Sequence, residues 1–210
     1  MNWSQQRVAL LFGGVGAEAE VSRAGRDAVV TAMYALGIKP IEIDVQTDYV
    51  TQLSTERPDR VFNLVHGRPG EDGVLQGVLI ALGIPFTGSG LAASALALDK
   101  PRTKQVWESL GLPTAPMVVV NDIDQADICI KRLGADVFVK PAHEGSSVGA
   151  FAVSGVDGLR AALAESLKHD SRVLVEPLLP GPEYTVGVVR GLALPVIGIR
   201  PASGFYDYKA

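Results

Sequence analysis

The chain has 210 residues, of which 47% are hydrophobic and 20% are charged, and its 19 Lys and Arg against 23 Asp and Glu give a formal net charge of −4. This is the composition of a soluble globular protein with one large domain or two small ones. The acidic balance argues against nucleic acid or a membrane surface as a partner. The single cysteine, Cys129, excludes an internal disulfide and a cysteine-based zinc site, so a reducing, cytoplasmic location fits best.

The first 88 residues alternate between short apolar runs and helical spacing of apolar residues. Helices are predicted at residues 19–36 and 74–82, and strands at residues 7–12, 38–45, 61–66 and 85–87. Such alternation is typical of a parallel sheet with helices on both faces. Residues 1–88 are therefore expected to form a Rossmann-like unit.

From Gly90 onwards the pattern changes, and a new part of the fold is expected to begin. Helices are predicted at residues 91–98, 102–110, 123–133 and 156–168, and strands at residues 117–120, 137–140, 149–153, 172–179, 183–190 and 194–200. The last three strands follow one another with Gly and Pro turns, which favours an antiparallel arrangement.

The glycine loop Gly14-Val-Gly16-Ala-Glu-Ala19 follows the first strand and opens the first helix. This context matches the dinucleotide-binding fingerprint, with Glu42 or Asp44 as the candidate ribose acid. However, Glu18 and Glu20 occupy the helix N-terminus that a pyrophosphate would need, and they would hold an ammonium group well. The simpler alternative is that both acids only cap the helix and complement its dipole.

A second loop, Gly145-Ser-Ser147-Val-Gly149, has the spacing of a hydrolase nucleophile elbow. An elbow needs a helix after the serine, whereas residues 149–153 are predicted to form a strand, and His169 with Asp170 is expected at the solvated end of a helix. A Gly and Ser loop between two strands instead favours phosphate binding through backbone amides and hydroxyls, with Lys140 adding positive charge.

The third loop, residues 66–73, directly follows the third strand, where ligands bind in open parallel sheets. Turn geometry alone could explain its glycines. Its His66, Arg68, Glu71 and Asp72 nevertheless favour a small charged ligand.

Taken in order, these segments resemble the D-alanine:D-alanine ligases of the ATP-grasp superfamily. The resemblance rests on residues 11–22, 66–77, 85–90 with Asp99-Lys100, 139–149, Glu176, 181–183 and 205–208. It spans essentially the whole chain. Any single motif is weak, but the set in the family's order is specific.

The resemblance implies an α/β fold in which residues 1–88 form a Rossmann-like domain with the first D-alanine site. Residues 89–176 would form an ATP-grasp small lobe, and residues 177–210 the start of an incomplete large lobe. The implied reaction joins two D-alanines through an acyl phosphate, using ATP, for peptidoglycan precursors, and a homodimer is expected. Magnesium ligands and an oxyanion arginine are expected beyond Ala210, in a protein roughly 100 residues longer, so this segment alone is expected to be inactive.

The resemblance also assigns roles around the amino acid. Glu18 would bind the ammonium of the first D-alanine, and Ser146 would connect that acid to the loop over the nucleotide, so that these two residues are the catalytic candidates in this chain. His66 would lie near the same substrate.

Around ATP, the resemblance implies that Lys100 and Lys140 hold phosphates and that Ser147 covers them. Glu176 would lie beside adenine together with the amide of Leu179, because Pro177 has no amide proton, and Glu183 would accept from the ribose hydroxyls. Simpler interpretations are an exposed helix start for Lys100 and an exposed strand end for Glu176. His143 stands where the family often carries arginine.

Two other classes of function remain open from the sequence. One is an NAD(P)-dependent oxidoreductase built on the first glycine loop. The other is a non-catalytic module that binds an amino acid or a nucleotide.

Overall fold

The computed structural model describes residues 5–15 and 18–200. Gly16 and Ala17 of the first glycine loop and the motif at residues 205–208 lie outside the described residues. The chain divides into two compact units, with the boundary between Pro113 and Thr114. The three-part division predicted from the sequence, with boundaries near residues 88 and 176, stays a prediction.

The first unit is built on a parallel three-stranded sheet with the strand order β2-β1-β3. Its strands are β1 (Val8–Phe12), β2 (Ile41–Asp44) and β3 (Arg60–Asn63). Its helices are α1 (Ala19–Ala35), α2 (Tyr49–Glu56), α3 (Val74–Ala81), α4 (Leu91–Leu98) and α5 (Lys100–Ser109). Phe86, from the short predicted strand, extends the sheet by a parallel bridge to Val61.

The central strand β1 explains why its sequence is a continuous apolar run. Leu10 and Leu11 point to opposite faces, since side chains alternate along a strand, and both are completely buried. Ile43, Leu75 and Leu79 pack into the core on the Leu11 side. The sheet is thus covered on both faces, as parallel sheets usually are.

Helix α2 was not predicted from the sequence. Its signals are an Asp48 side chain that accepts a hydrogen bond from the Thr51 amide at the helix start and a single buried apolar residue, Leu53. An eight-residue helix with one buried apolar side chain gives almost no periodic pattern.

The second unit contains an antiparallel sheet with the strand order β4-β7-β5-β6. Its strands are β4 (Val118–Val120), β5 (Asp136–Pro141), β6 (Phe151–Ser154) and β7 (Val173–Pro177), and its helices are α6 (Ala126–Leu133) and α7 (Gly155–Ser166). One face of β5 and β7 carries Val137, Val139, Val173 and Val175 into the core against the two helices. The opposite face of the same strands therefore carries Phe138, Lys140 and Glu176.

The last described strands are short and antiparallel, as predicted. Strand β8 (Glu183–Thr185) pairs with β11 (Ile197–Ile199), and β9 (Val188–Val189) pairs with β10 (Leu192–Ala193). The predicted strand at residues 183–190 is interrupted between β8 and β9, where the Gly187 carbonyl accepts from the Leu194 amide. None of the helices in the described ranges has the length and apolar character that crossing a membrane requires.

Candidate functional site

Two loops lie side by side at the carboxyl end of the parallel sheet in the first unit. They are residues 13–15, which follow β1, and residues 64–71, which follow β3. The Val15 amide donates to the Arg68 carbonyl at 3.0 Å. Gly14 has a φ of +124°, and a Cβ there would lie 3.1 Å from the His66 carbonyl oxygen. Only glycine lets the two loops approach this closely.

This approach places Glu18 over the second loop. Its Oε2 lies 3.0 Å from the position that a Cβ on Gly67 would occupy. Glu18 is the residue before helix α1, and its side chain makes no capping hydrogen bond there. The structure therefore does not support a hydrogen-bonded helix cap at this residue. Glu20 instead forms an exposed ion pair with Arg23 at 2.8 Å.

Glu71 completes an acidic cluster around Gly67. Desolvation raises the pKa of Glu71 above its ordinary value, and the charge of Glu18 raises it further. A hydrogen bond with the Gly67 backbone lowers the pKa of Glu71, and so does the electrostatic effect of the nearby His66. Together they do not cancel the increase. The two carboxylates therefore create a local negative potential that favours a cationic group.

The ring of His66 is fixed by its backbone neighbour. Its Nδ1 lies 2.9 Å from the Leu64 carbonyl oxygen, and because a carbonyl can only accept, Nδ1 carries the proton. The same carbonyl accepts from the buried Ser22 hydroxyl at 2.6 Å, and that hydroxyl accepts from the Gly13 amide at 2.9 Å. Sequence reasoning missed this role of Ser22, whose signal is a polar residue on the buried side of α1.

The two acids that could bind a ribose both form ion pairs with arginines of α1. Glu42 is ion-paired with Arg26, and Asp44 is ion-paired with Arg23 at 3.2 Å. A Cβ on Gly13 would collide with the Asp44 carboxylate. The glycine loop thus packs on its own unit, which disfavours the dinucleotide-binding interpretation.

A cavity of about 540 Å³ opens beside the second loop and α4. Its polar lining includes His66, Glu71, Gln76, Ser89 and Ser94. The volume suits a small polar ligand. Lys100, the first residue of α5, is half-buried in the same unit, after Asp99 caps the helix through the Arg102 amide.

In the second unit, Lys140 and Glu176 form an ion pair between the neighbouring strands β5 and β7. Lys140 Nζ lies 2.5 Å from Glu176 Oε2 and 5.6 Å from the centre of the Phe138 ring. Glu176 is only 7% exposed. The exposed-strand-end interpretation of Glu176 is therefore wrong, because the sheet and its partner lysine cover the carboxylate.

A cavity of about 700 Å³ brings together three of the residues predicted to bind ATP: Glu176, Leu179 and Glu183. The Leu178 amide donates a hydrogen bond to the Asp136 carbonyl at 2.9 Å. The next amide, that of Leu179, has no hydrogen-bond partner in the described part of the chain. The Leu179 amide, two residues after Pro177, is therefore available to a ligand in this cavity.

The Gly and Ser loop connects β5 to β6, as predicted. Because β6 is a strand, the prediction that this loop is not a nucleophile elbow is confirmed. Ser146 and Ser147 adopt positive φ angles of 46° and 59°. Ser146 is exposed and Ser147 is half-buried.

The prediction that Asp170 is solvated is wrong. Its side chain is only 10% exposed and accepts hydrogen bonds from the His143 ring at 2.7 Å and from the His143 amide at 2.9 Å. Burial raises the pKa of Asp170, but hydrogen bonds from the Arg172 backbone and from His143 outweigh it, so the pKa lies below its ordinary value.

The predicted site residues are divided between the two units. Glu18, His66 and Lys100 belong to the first, whereas Lys140, Ser146, Ser147, Glu176, Leu179 and Glu183 belong to the second. The predicted contact between Glu18 and Ser146, and the shared phosphate site of Lys100 and Lys140, stay predictions. Across residues 5–15 and 18–200, no group of three or more His, Cys, Asp or Glu side chains could hold a metal ion.

Comparisons with known proteins bear on both units. A family profile described as "D-ala D-ala ligase C-terminus" matches residues 106–210, and one described as "D-ala D-ala ligase N-terminus" matches residues 51–89. The D-alanine--D-alanine ligase of Ectopseudomonas mendocina is 51% identical over 97% of this chain and 65% of its own length. The corresponding ligase of Stutzerimonas stutzeri is 50% identical over the same shares.

The chain belongs to the D-alanine–D-alanine ligase family. Among solved structures, the D-alanine--D-alanine ligase of Bacillus anthracis has a TM-score of 0.83 at 30% identity, over 98% of this chain and 68% of that one. The same enzyme complexed with ATP has a TM-score of 0.81 at 27% identity, over 96% and 68%. The predicted fold class, a Rossmann-like sheet domain followed by an ATP-grasp fold, is confirmed. The chain spans 64–65% of the length of curated relatives that it matches at 48–51% identity.

Proposed function

We propose that the protein is an ATP-dependent ligase that joins two D-alanine molecules through an acyl phosphate, for peptidoglycan precursor synthesis in the cytoplasm. The observation that carries the proposal is the position of Glu18 over the loop of His66 and Glu71. This acidic cluster stands where a dinucleotide-binding protein needs an anion site, and it suits the ammonium of an amino acid.

In the first unit, Glu18 binds the ammonium group of the first D-alanine, and the charge of Glu71 reinforces that attraction. His66 presents Nε2 as an acceptor when neutral, because Nδ1 is committed to the Leu64 carbonyl. Substrate is thereby oriented with its ammonium towards the two acids.

In the second unit, Lys140 supplies positive charge to the phosphates of ATP, with Ser147 as a further contact. Lys100, from the first unit, is also proposed to contribute positive charge. The ion pair with Glu176 holds the lysine in one position before nucleotide binds. The Leu179 amide and Glu176 face adenine, and Glu183 accepts from the ribose hydroxyls, since all three line one cavity.

The chemistry brings a carboxylate against a triphosphate, so repulsion between like charges must be reduced. Lysines 100 and 140 contribute to this in our proposal, and Ser146 connects Glu18 to the phosphate loop. A bound magnesium ion would supply further charge neutralisation, but the described residues do not form a site for it. We also propose that the protein is a homodimer.

Separate titrations of the whole protein with ATP and with NAD test the class of ligand. Binding of ATP without NAD supports the proposal, whereas binding of NAD alone would favour an oxidoreductase. Phosphate release that depends on D-alanine, with D-alanyl-D-alanine detected by mass spectrometry, distinguishes a ligase from a binding module. L-alanine is the matched control, because it differs only in configuration.

A further inference from the structure

The Gly and Ser loop between β5 and β6 is held at both ends by one short segment, residues 166–172, which links α7 to β7. At its start, the Ala142 amide donates to the Arg172 carbonyl at 2.9 Å, and His143 is bound to Asp170. At its end, the Ser166 hydroxyl donates to the Gly149 carbonyl at 2.6 Å. A Cβ on Gly149 would lie 2.7 Å from the His169 ring.

The loop between these anchors has an unfavourable backbone. Ser146 and Ser147 both have positive φ angles, which residues with a side chain rarely adopt. Hydrogen bonds from Val148 to the Gly145 carbonyl, at 3.0 Å, and from Ala150 to the Ser147 carbonyl, at 3.2 Å, close two consecutive turns. Such a conformation persists only where its surroundings determine it.

His143 provides the most specific of these surroundings. Its backbone amide and its Nδ1 both reach the same oxygen, Asp170 Oδ2, at 2.9 and 2.7 Å, and the other carboxylate oxygen accepts from the Arg172 amide at 3.1 Å. Because a carboxylate only accepts, the proton of the His143 ring is on Nδ1. Hydrogen bonds to an ionised group are stronger and shorter than those between neutral groups.

We propose that His143, held by Asp170, is a positioning residue that fixes loop 144–149 in the conformation that receives the phosphates of ATP. This inference rests on the proposed function for its ligand. His143 acts through its Nδ1–H and the loop backbone, and its Nε2 does not contact the nucleotide. The family role of the loop's serines and of Lys140 is unchanged by this assignment.

The two amide substitutions of His143 separate these atoms. His143→Asn keeps an N–H on the atom bonded to Cγ, where Nδ1 is, whereas His143→Gln moves the N–H one bond further, towards the Nε2 position. The matched control is Lys168→Gln, in the same segment, because Lys168 is exposed and its ammonium pairs with the exposed Glu165 at 2.6 Å.

Two measurements on the whole protein test the proposal. Hydrogen exchange of the amides of residues 144–149 without nucleotide should be roughly tenfold faster in His143→Gln and within about threefold of wild type in His143→Asn. The Kd for ATP should follow the same order, while D-alanine binding stays unchanged. Exchange in β5 and β7 shows that each variant is folded, and Asp170→Ala gives an independent variant with the expected behaviour of His143→Gln.

The proposal is overturned if both amide variants behave alike, or if only the Gln variant resembles wild type, since Nε2 would then be the working atom. Wild-type protein that binds no ATP would refute the proposed function. Wild-type protein that binds ATP, with an unchanged Kd in His143→Gln, would refute this inference alone.

Discussion

Lys140 and Glu176 form an ion pair across β5 and β7, with Nζ 2.5 Å from Oε2. The family resemblance assigns one residue to the phosphates and the other to adenine, yet the strand register brings them together, with Glu176 opposite Phe138 and Lys140 two residues further along β5. The side chain of Glu176 is 10% exposed and that of Lys140 is 28% exposed. The proposed nucleotide site therefore contains an internal charge pair before any ligand binds.

Replacing Lys140 with Met should affect both stability and nucleotide binding. It leaves the buried Glu176 carboxylate without its cation, which should lower the free energy of unfolding by about 1–3 kcal/mol. The double variant Lys140→Met with Glu176→Gln should recover stability but not ATP affinity. Urea unfolding and ATP titration check this, and equal loss of D-alanine binding would contradict it.

Replacing Glu18 with Gln should raise the KM for the first D-alanine, by roughly tenfold, while the affinity for ATP stays nearly unchanged. The reason is that, in the proposed site, this substitution removes a charged partner of the ammonium group and no contact to ATP. Steady-state kinetics of the whole protein measure the effect. Glu20→Gln is the matched control, because Glu20 is exposed and pairs with Arg23, and an equal effect there would assign the change to the helix terminus.

The Asp170 carboxyl should make the free energy of unfolding decrease at acidic pH. Its pKa is lower in the folded protein than the ordinary 3.8, so its contribution is present above pH 3.8 and disappears as the pH falls through the folded value. Asp170→Asn should therefore be about 1–3 kcal/mol less stable than wild type at pH 7. Chemical unfolding from pH 7 to pH 3 should show the difference shrinking, and a constant difference would count against the paired carboxylate.

Glu71 should behave in the opposite way. Its pKa is raised above 4.5 in the folded protein, so the protein loses stability as the pH rises through the folded value. Glu71→Gln should thus be more stable than wild type at pH 7 and equally stable below pH 4.5. Thermal unfolding at both pH values measures this, with the lower pH as the internal control. A destabilised variant at pH 7 would show that the charge is held by a favourable contact.

Much of the fold was predictable because its signals are local. The apolar run at β1, the alternation of strands and helices, and the position of the Gly and Ser loop between two strands all follow from the periodicity of nearby residues. The prediction that the Gly and Ser loop is not a nucleophile elbow depended only on recognising the strand β6 after it. The engagement of Asp44 by Arg23 was not predicted, since it needs the packing of α1 against β2.

The parts that sequence could not predict depend on contacts between distant segments. Lys140 and Glu176 lie in strands that become neighbours only in the order β4-β7-β5-β6. Asp170 was expected at a solvated helix end because its partner, His143, is 27 residues away. Ser22 is polar, and nothing local shows that it is buried against the loop after β3.

Ser22 connects the two loops of the proposed amino-acid site. Its hydroxyl accepts from the Gly13 amide and donates to the Leu64 carbonyl, which also holds the His66 ring. A displacement of the loop after β1 is thus transmitted to the ring that follows β3. Exchange of either loop with a relative's sequence would have to keep this hydroxyl, and effects of substitutions in the two loops would not simply add.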